Sequence, residues 1–329
     1  MRKSVKRITG VISLIVIIVA LAYATLNVDN VKHAFGIGRI ACAEDVLEET
    51  KIQSELPSDT AIEIEWYRSR LDTEEKIALY DAMKAAIASV SMGVEVPNMP
   101  EEDVLECYWA VVYDHPEFFW LGREYVFYTA PDGTYTGFDF KYLMTDRDEI
   151  QTKMRDIEAA ADAIISGSYV DNISLKMEFI YKWVGGSTTY EEGEHDQTML
   201  GVFVDHKAVC AGYVQATQYL WLRAGIPCVR ISGHYMHSDG TISDENHTWL
   251  CAVPTNRMFF YDVTWDDVNN ASSMEKYYKV DQEEFYKTHI AESSKSPRED
   301  SAREVVEMAV NSSTGMHLAM SLKNDDDYE

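Results

Sequence analysis

The 329-residue chain is predicted to have an α+β fold. In its first half, apolar residues recur at helical spacing on both sides of one aromatic β-hairpin pattern. In its second half, a single amphipathic helix is followed by short strand-like runs suited to antiparallel pairing. Hydrophobic residues make up 46% of the chain and aromatic residues 12%, which is sufficient for a substantial buried core.

The charge of the chain is strongly negative, with 29 basic and 55 acidic residues and a formal net charge of −26. A chain of this charge repels phosphate backbones, so nucleic acid is not an expected partner. At the N-terminus four basic residues precede an apolar run from Ile8 to Leu26: Arg2, Lys3, Lys6 and Arg7. This layout predicts an export signal peptide or a membrane anchor over residues 1–26. The protein is therefore expected outside the cell, secreted or anchored, with membrane contact only through this segment.

The chain divides into regions by pattern. Residues 27–60 are polar and are predicted to be a linker. Residues 61–170 are predicted to be a mainly helical region with a hairpin. Its helices are expected within Trp66–Met92, over Glu101–Asp114 and over Asp146–Ile165, and its strands over Arg123–Thr129 and Tyr135–Leu143.

Residues 171–292 are predicted to be a second domain. It contains a helix over Lys207–Ala224, strands over Val229–Ser232, His247–Val253 and Met258–Thr264, and a helix over Gln282–His289. Residues 293–329 are predicted to hold a C-terminal helix near Glu299–Met308 and an acidic tail.

Cys210 lies near the predicted start of the Lys207–Ala224 helix. Backbone N–H groups there lack intrahelical acceptors, and the helix dipole is positive, so a thiolate is stabilised. Ala211 and Gly212 are small and are expected to leave the sulfur accessible. A lone cysteine is more often an inert buried thiol, and that interpretation weakens only if an imidazole and a carboxylate accompany it.

His247 and Asp262 supply those two groups on successive predicted strands. They face each other directly if the hairpin turns about the Pro254–Thr255 bond, and directly opposed residues share one face of a sheet. The carboxylate then orients the imidazole, and the imidazole activates the thiol. A structural histidine beside a surface aspartate is the alternative.

The five cysteines are an odd number for an exported chain, so at least one is expected to be free or to pair between molecules. Cys228 and Cys251 could face one another across two strands. Small buried thiols are the favoured interpretation for both.

Three blocks, GVFVDHKAVCAGYVQATQYLWLRAGIPCVRISGHY, NHTWL and YDVTWDD, resemble the core of the transglutaminase-like superfamily in its bacterial extracellular form. The resemblance covers about residues 175 to 290 and implies a papain-like fold. It implies that Cys210 is the nucleophile, His247 the general acid/base and Asp262 the orienting carboxylate. No cofactor and no metal is expected. The expected partner is a protein or peptide substrate, including one associated with the cell wall.

The motifs leave three functional alternatives open. The shared thioester can be resolved by an amine, giving transamidation, or by water, giving amide hydrolysis. A catalytically inactive binding or scaffold module at the cell surface would keep the fold without the reaction. A metal hydrolase is the least favoured, since His234, His237, Asp239 and His247 lie on or beside an irregular loop without fixed ligand geometry.

Overall fold

The computed structural model describes residues 62–130, 135–168, 172–254, 257–269 and 276–312. The predicted signal or anchor, the predicted linker and the predicted acidic tail lie outside these residues. The described residues belong to one compact unit, Pro57–Glu329. Among them, no helix combines the length and the apolar character needed to cross a membrane.

The first part of this unit contains two helices and a three-stranded antiparallel sheet. The helices are α1, Glu74–Ala88, and α2, Glu101–Asp114, and the strands are β1, Gly93–Glu95, β2, Leu121–Thr129, and β3, Tyr135–Tyr142, in the order β1–β3–β2. The predicted hairpin and the predicted bounds of α2 are confirmed. The helix predicted within Trp66–Met92 is confirmed as α1, which begins where the Thr73 side chain accepts the backbone N–H of Lys76. Residues 93–95 then join the sheet.

Helix α2 is the centre of this part. Tyr108 on α2 packs its ring against Phe138 and Phe140 of β3, with centroids 5.1 and 6.3 Å away. Helix α2 also contacts α1 and one strand of the second sheet. It is therefore in contact with both sheets of the unit.

Two helices and a short parallel pair lead to the second sheet. They are α3, Arg147–Gly167, α4, Ile173–Ser187, β4, Thr189–Tyr190, and β5, Lys207–Ala208, with a π-helical turn at Gly201–Asp205. Helix α5 then spans Cys210–Arg223. The predicted start of this helix at Lys207 is wrong, because Lys207 and Ala208 pair with β4 and Val209 is extended (φ −105°, ψ 180°).

The second sheet is antiparallel in the order β8–β7–β6–β9. Its strands are β6, Cys228–Tyr235, β7, His247–Ala252, β8, Phe259–Tyr261, and β9, His289–Ala291. Helix α5 packs on β6 and β7. The predicted α+β class, with the cysteine-bearing helix on an antiparallel sheet, is confirmed.

Three local predictions in this sheet are wrong. β8 ends at Tyr261, so Asp262 follows the strand and precedes helix α6, Val263–Asn269. Leu250 pairs with Tyr261 and Ala252 with Phe259, so the register is shifted by two residues from the expected His247–Asp262 pairing. The predicted helix over Gln282–His289 ends early, as α7, Gln282–Phe285, because His289 forms the edge strand β9. The last helix, α8, is Ala302–Asn311.

Candidate active site

Cys210 is the first residue of α5, and its side chain is partly exposed. The preceding Val209 provides no side-chain cap, and the first turn of α5 contains no acidic residue. Within the described part of the chain the backbone N–H of Cys210 has no hydrogen-bond acceptor, whereas the N–H groups of Gly212 and Tyr213 both donate to the carbonyl of Val209. The positive end of α5 is thus available to a negative charge on the sulfur or beside it.

Gly212 also has a packing role. A Cβ at this position would lie 2.5 Å from the carbonyl oxygen of Asp196 and 2.8 Å from that of Thr198. Gly212 and Ala211 are themselves buried, while Cys210 beside them is partly exposed. The missing side chain of Gly212 lets the 196–198 backbone approach α5, where the Asp196 carbonyl accepts the N–H of Val209 at 3.0 Å. The extended residue before Cys210 is fixed in this way.

His247, the first residue of β7, is hydrogen-bonded to Asp262 through Nε2 and Oδ2 at 2.7 Å. Its side chain also interacts with the thiol of Cys210, and this interaction lowers the pKa of the thiol and raises the pKa of the imidazole. Since Nε2 donates to the carboxylate, Nδ1 is the ring nitrogen that serves the sulfur. The three residues predicted from the sequence are therefore connected in the order Cys210, His247, Asp262.

The two-residue shift of register leaves His247 and Asp262 on one side of the sheet. Continued by one position, the observed register places Asp262 level with Trp249, and Trp249 is two residues from His247. Residues two apart on a strand point to the same face. A shift of one residue would have separated the pair, and a shift of two keeps the carboxylate within reach.

Asp262 is completely buried and uses both oxygens. Oδ1 accepts the backbone N–H groups of Thr264 and Trp265, each at 3.1 Å, and so caps α6. Oδ2 accepts His247 and also the Nε2–H of His289 at 3.0 Å. The carboxylate consequently holds two rings and one helix end at the same time.

His289 is the site residue that the sequence patterns missed. It pairs with Tyr235 in the ladder between β6 and β9, while His247 pairs with Gly233, so both histidines lie on the same face. Its ring stacks on Phe285 at 4.0 Å, and its Nδ1 lies 2.9 Å from the hydroxyl of Thr288. A carboxylate at Nε2 requires the N–H there, so Nδ1 accepts from Thr288. The sequence signal was a histidine at the end of the predicted Gln282–His289 helix, which is not specific.

Aromatic rings enclose the pair of histidines. The ring of Trp265 stacks on His247 with centroids 5.6 Å apart, and Tyr235 meets the same imidazole edge-on at 6.2 Å. His247 is 6% exposed. This enclosure keeps water away from the His247–Asp262 hydrogen bond and strengthens it.

The charges in this group support one another. Burial favours the neutral thiol, but the hydrogen bond and charge of His247 and the charges of Arg123 and Arg230 outweigh it and lower the pKa of Cys210. Burial also opposes the protonated form of His247, yet Asp262 and Cys210 raise the pKa of His247 to about 10. Despite its burial, Asp262 has a lowered pKa because His247 and His289 stabilise the carboxylate. A thiolate–imidazolium pair is the favoured state near neutral pH.

The other described cysteines are in a different environment. Cys107, Cys228 and Cys251 are buried and free, which confirms the prediction of small buried thiols for the latter two. Burial raises the pKa of Cys107 to about 12 and raises the pKa values of the other two thiols as well. Of the four cysteines that the structure describes, Cys210 has the lowered pKa.

A cavity of about 380 Å³ opens beside Cys210 and His247. Its wall comes from the first sheet, from α2, from the second sheet and from the segment after β9: Trp109, Tyr113, Arg123, Arg230, Asn246, Glu292 and Lys295 among others. This volume is sufficient for a short peptide segment or for one small ligand.

The residues weighed as metal ligands do not converge. Among the described residues, the grouping with ligand atoms close enough for a metal is His247, Asp262 and His289, within 4.8 Å of one another. His234, His237 and Asp239 do not belong to it. In this group the two ring N–H groups already point at the carboxylate, so the pattern is a hydrogen-bonded cluster.

No protein-family model and no curated protein matches the chain. Several solved structures align with the chain. A TGase aligns with a TM-score of 0.29 and 13% identity over 51% of this chain and 48% of its own. The periplasmic domain of TgpA from Pseudomonas aeruginosa aligns with a TM-score of 0.28 and 15% identity over 45% of this chain and 58% of its own. The ethylmercury-bound form of the same domain aligns with a TM-score of 0.26 and 17% identity over 40% of this chain and 55% of its own.

The chain is similar to a TGase and to the periplasmic domain of TgpA over about half of its length. It spans about half the length of the solved chains that it matches.

Proposed function

We propose that the protein is an exported, cysteine-dependent acyl-transfer enzyme of transglutaminase-like type that acts on protein or peptide amides. The observation that carries this proposal is the series Cys210–His247–Asp262, in which the imidazole is hydrogen-bonded to the carboxylate and interacts with the thiol, with the sulfur at the N-terminus of α5 and beside a cavity. In this proposal Cys210 is the nucleophile, His247 the general acid/base and Asp262 the orienting carboxylate. Export follows from the pattern of residues 1–26 alone.

The first half-reaction forms a thioester. The Cys210 thiolate attacks the carboxamide carbon, and the carbonyl oxygen gains the negative charge of the tetrahedral intermediate. The free backbone N–H of Cys210 is a donor for this oxyanion. Protonated His247 then gives its Nδ1 proton to the leaving nitrogen, the carbon–nitrogen bond breaks, and ammonia or an amine departs.

The second half-reaction resolves the thioester. An incoming amine or water gives a proton to the now neutral His247 and attacks the same carbon. The carbon–sulfur bond breaks and the thiolate returns, paired with the imidazolium. Asp262 stays ionised throughout and keeps Nδ1 of His247 turned toward the sulfur, since the Nε2–H is held at 2.7 Å.

Incubation with a glutamine-containing protein and a labelled primary amine tests the proposal. Ammonia release and covalent amine incorporation are measured together, and both should disappear in Cys210→Ala. Incorporation identifies transamidation, and free acid without incorporation identifies hydrolysis. A folded wild-type protein that releases neither product from a broad set of amides would support the inactive binding or scaffold module instead.

A further inference from the structure

Two arginines face the cavity beside Cys210 from different sheets. Arg123 comes from β2 and Arg230 from β6. Both interact electrostatically with the Cys210 sulfur, and each contributes to its stabilisation as a thiolate. Arg123 is accessible through the cavity, although protein atoms surround its guanidinium and lower its pKa. Arg230 is only 3% exposed.

Among the described residues neither guanidinium has a carboxylate within ion-pair distance, and Asp196 interacts with Arg123 only electrostatically. Arg230 donates from Nε to the hydroxyl of Thr248 at 3.1 Å and lies 5.2 Å from the ring centroid of Tyr113, which leaves its terminal nitrogens without acceptors in the described chain. Burial and the nearby charge of Arg123 lower the pKa of Arg230 to about 10. It therefore stays positively charged at neutral pH beside a second positive charge.

Such an arrangement is unusual in a chain with a net charge of −26. Elsewhere on this wall, Lys295 is paired with Glu106. Glu292 also lines the cavity, but it is exposed. A buried cation normally has an opposite charge, and two cations that repel each other are costly unless a ligand supplies one. A planar guanidinium matches a carboxylate best, with two parallel N–H···O bonds.

We propose that Arg123 and Arg230 form a carboxylate-binding subsite beside Cys210, and that the acyl donor is a peptide with a carboxylate close to the amide that reacts. The identity of this donor class rests on the proposed function, whereas the subsite itself does not. The two arginines bind the anionic group of the substrate, and they select acidic donors against neutral ones.

Two alkylating reagents test the subsite. Iodoacetate and iodoacetamide both lose iodide to the attacking thiolate, and they differ in carrying a carboxylate or a carboxamide. The ratio of their rate constants at Cys210 does not depend on the fraction of thiolate, because both reagents consume the same species. An arginine that acted only by lowering the thiol pKa would leave this ratio unchanged.

In the wild-type protein, iodoacetate should alkylate Cys210 faster than iodoacetamide, with saturation, and N-acetylglycine should compete where N-acetylglycinamide does not. In Arg123→Gln the ratio should fall by about tenfold or more, the effect of one charge-assisted hydrogen bond. Arg123 is substituted first because its side chain is accessible. The buried Arg230 is then tested as Arg230→Gln, after a thermal melt has shown that this variant is folded. Arg303→Gln, a surface arginine whose side chain is 90% exposed, should keep the wild-type ratio. Mass spectrometry of the Cys210 peptide gives each rate.

A wild-type preference for iodoacetamide, or an unchanged ratio in Arg123→Gln, overturns the subsite. If either of these outcomes occurs while iodoacetamide still labels Cys210 rapidly, the subsite is overturned and the proposed function is retained. An iodoacetate preference without turnover on any amide keeps the subsite and removes the enzyme. If Cys210 reacts with neither reagent, ligand-observed NMR decides: N-acetylglycine should bind to Cys210→Ser and not to Cys210→Ser/Arg123→Gln, and equal binding overturns the subsite.

Discussion

His289 donates a hydrogen bond to the same oxygen of Asp262 that accepts His247, at 3.0 Å against 2.7 Å. Burial and the positive charge of His247 lower the pKa of His289, so His289 stays neutral. A neutral donor fixes the carboxylate without competing for its charge. The hydrogen bond from His289 thereby helps to fix the orientation of the Asp262 carboxylate toward His247.

His289→Phe should keep the buried ring and lose this donor. We expect kcat to fall by about tenfold with little change in KM, because one hydrogen bond that positions the carboxylate is removed. Without His289 the carboxylate becomes more basic, so the alkaline limb of the pH profile, set by His247, should move to higher pH. His289→Gln, which restores an N–H donor, should recover part of the rate. An unchanged alkaline limb in His289→Phe would assign His289 to packing alone.

Asp262→Asn should lower stability as well as turnover. The amide has one oxygen, whereas both oxygens of Asp262 accept N–H groups, so two donors must face the amide NH₂. We expect a loss of about 2–3 kcal/mol in the free energy of unfolding and a turnover loss of up to about 10⁴-fold. Thermal melts and kcat/KM are measured beside Asp156→Asn, an exposed aspartate on α3. A wild-type melt for Asp262→Asn would contradict the capping role.

The reactivity of Cys210 should depend on pH in a defined direction. Because its pKa is lowered, alkylation by iodoacetamide should continue well below the range of an ordinary thiol, and Cys210 should react before Cys107. In His247→Ala the midpoint should move to higher pH, since the hydrogen bond and the charge are gone. Turnover should also fall as the pH rises through about 10, where His247 loses the proton that the leaving amine needs. Equal labelling of Cys210 and Cys107 near pH 7 would exclude the ion pair.

Two helical glycines provide a matched stability test. Gly212→Ala should destabilise the protein by about 1–3 kcal/mol, because the new Cβ would meet the Asp196 and Thr198 carbonyls at 2.5 and 2.8 Å. Gly186→Ala on α4 has open space around it and should stabilise by up to about 1 kcal/mol. Thermal melts of both variants check this. The same effect at both positions would show that helix propensity, and not the close approach of the 196–198 backbone, decides the result.

The sequence predicted the Cys210–His247–Asp262 connection because parity, rather than register, decides which strand residues share a face. The expected register was wrong by two residues, since β7 ends at Ala252 and β8 begins only at Phe259. A two-residue shift preserves the face, and the expected association of His247 with Asp262 was therefore insensitive to that error.

His289 and the arginine pair were beyond the reach of local patterns. His289 depends on β9 pairing with β6, about fifty residues away in the chain, and a three-residue edge strand has no periodicity to detect. Arg123 reaches the cavity from a hairpin that precedes the cysteine helix by two further helices. Contacts between elements distant in sequence are set by packing, and composition and spacing do not encode them.

Asp262 closes a strand, caps α6 and holds two imidazoles. Cys210, by contrast, is partly exposed at the start of α5, and its sulfur interacts with the His247 ring without capping a helix. Selection for a folded chain alone would consequently protect the aspartate and leave the thiol free to drift. In homologues that have lost the activity, we expect Cys210 to be replaced first and Asp262 to be retained for its structural role.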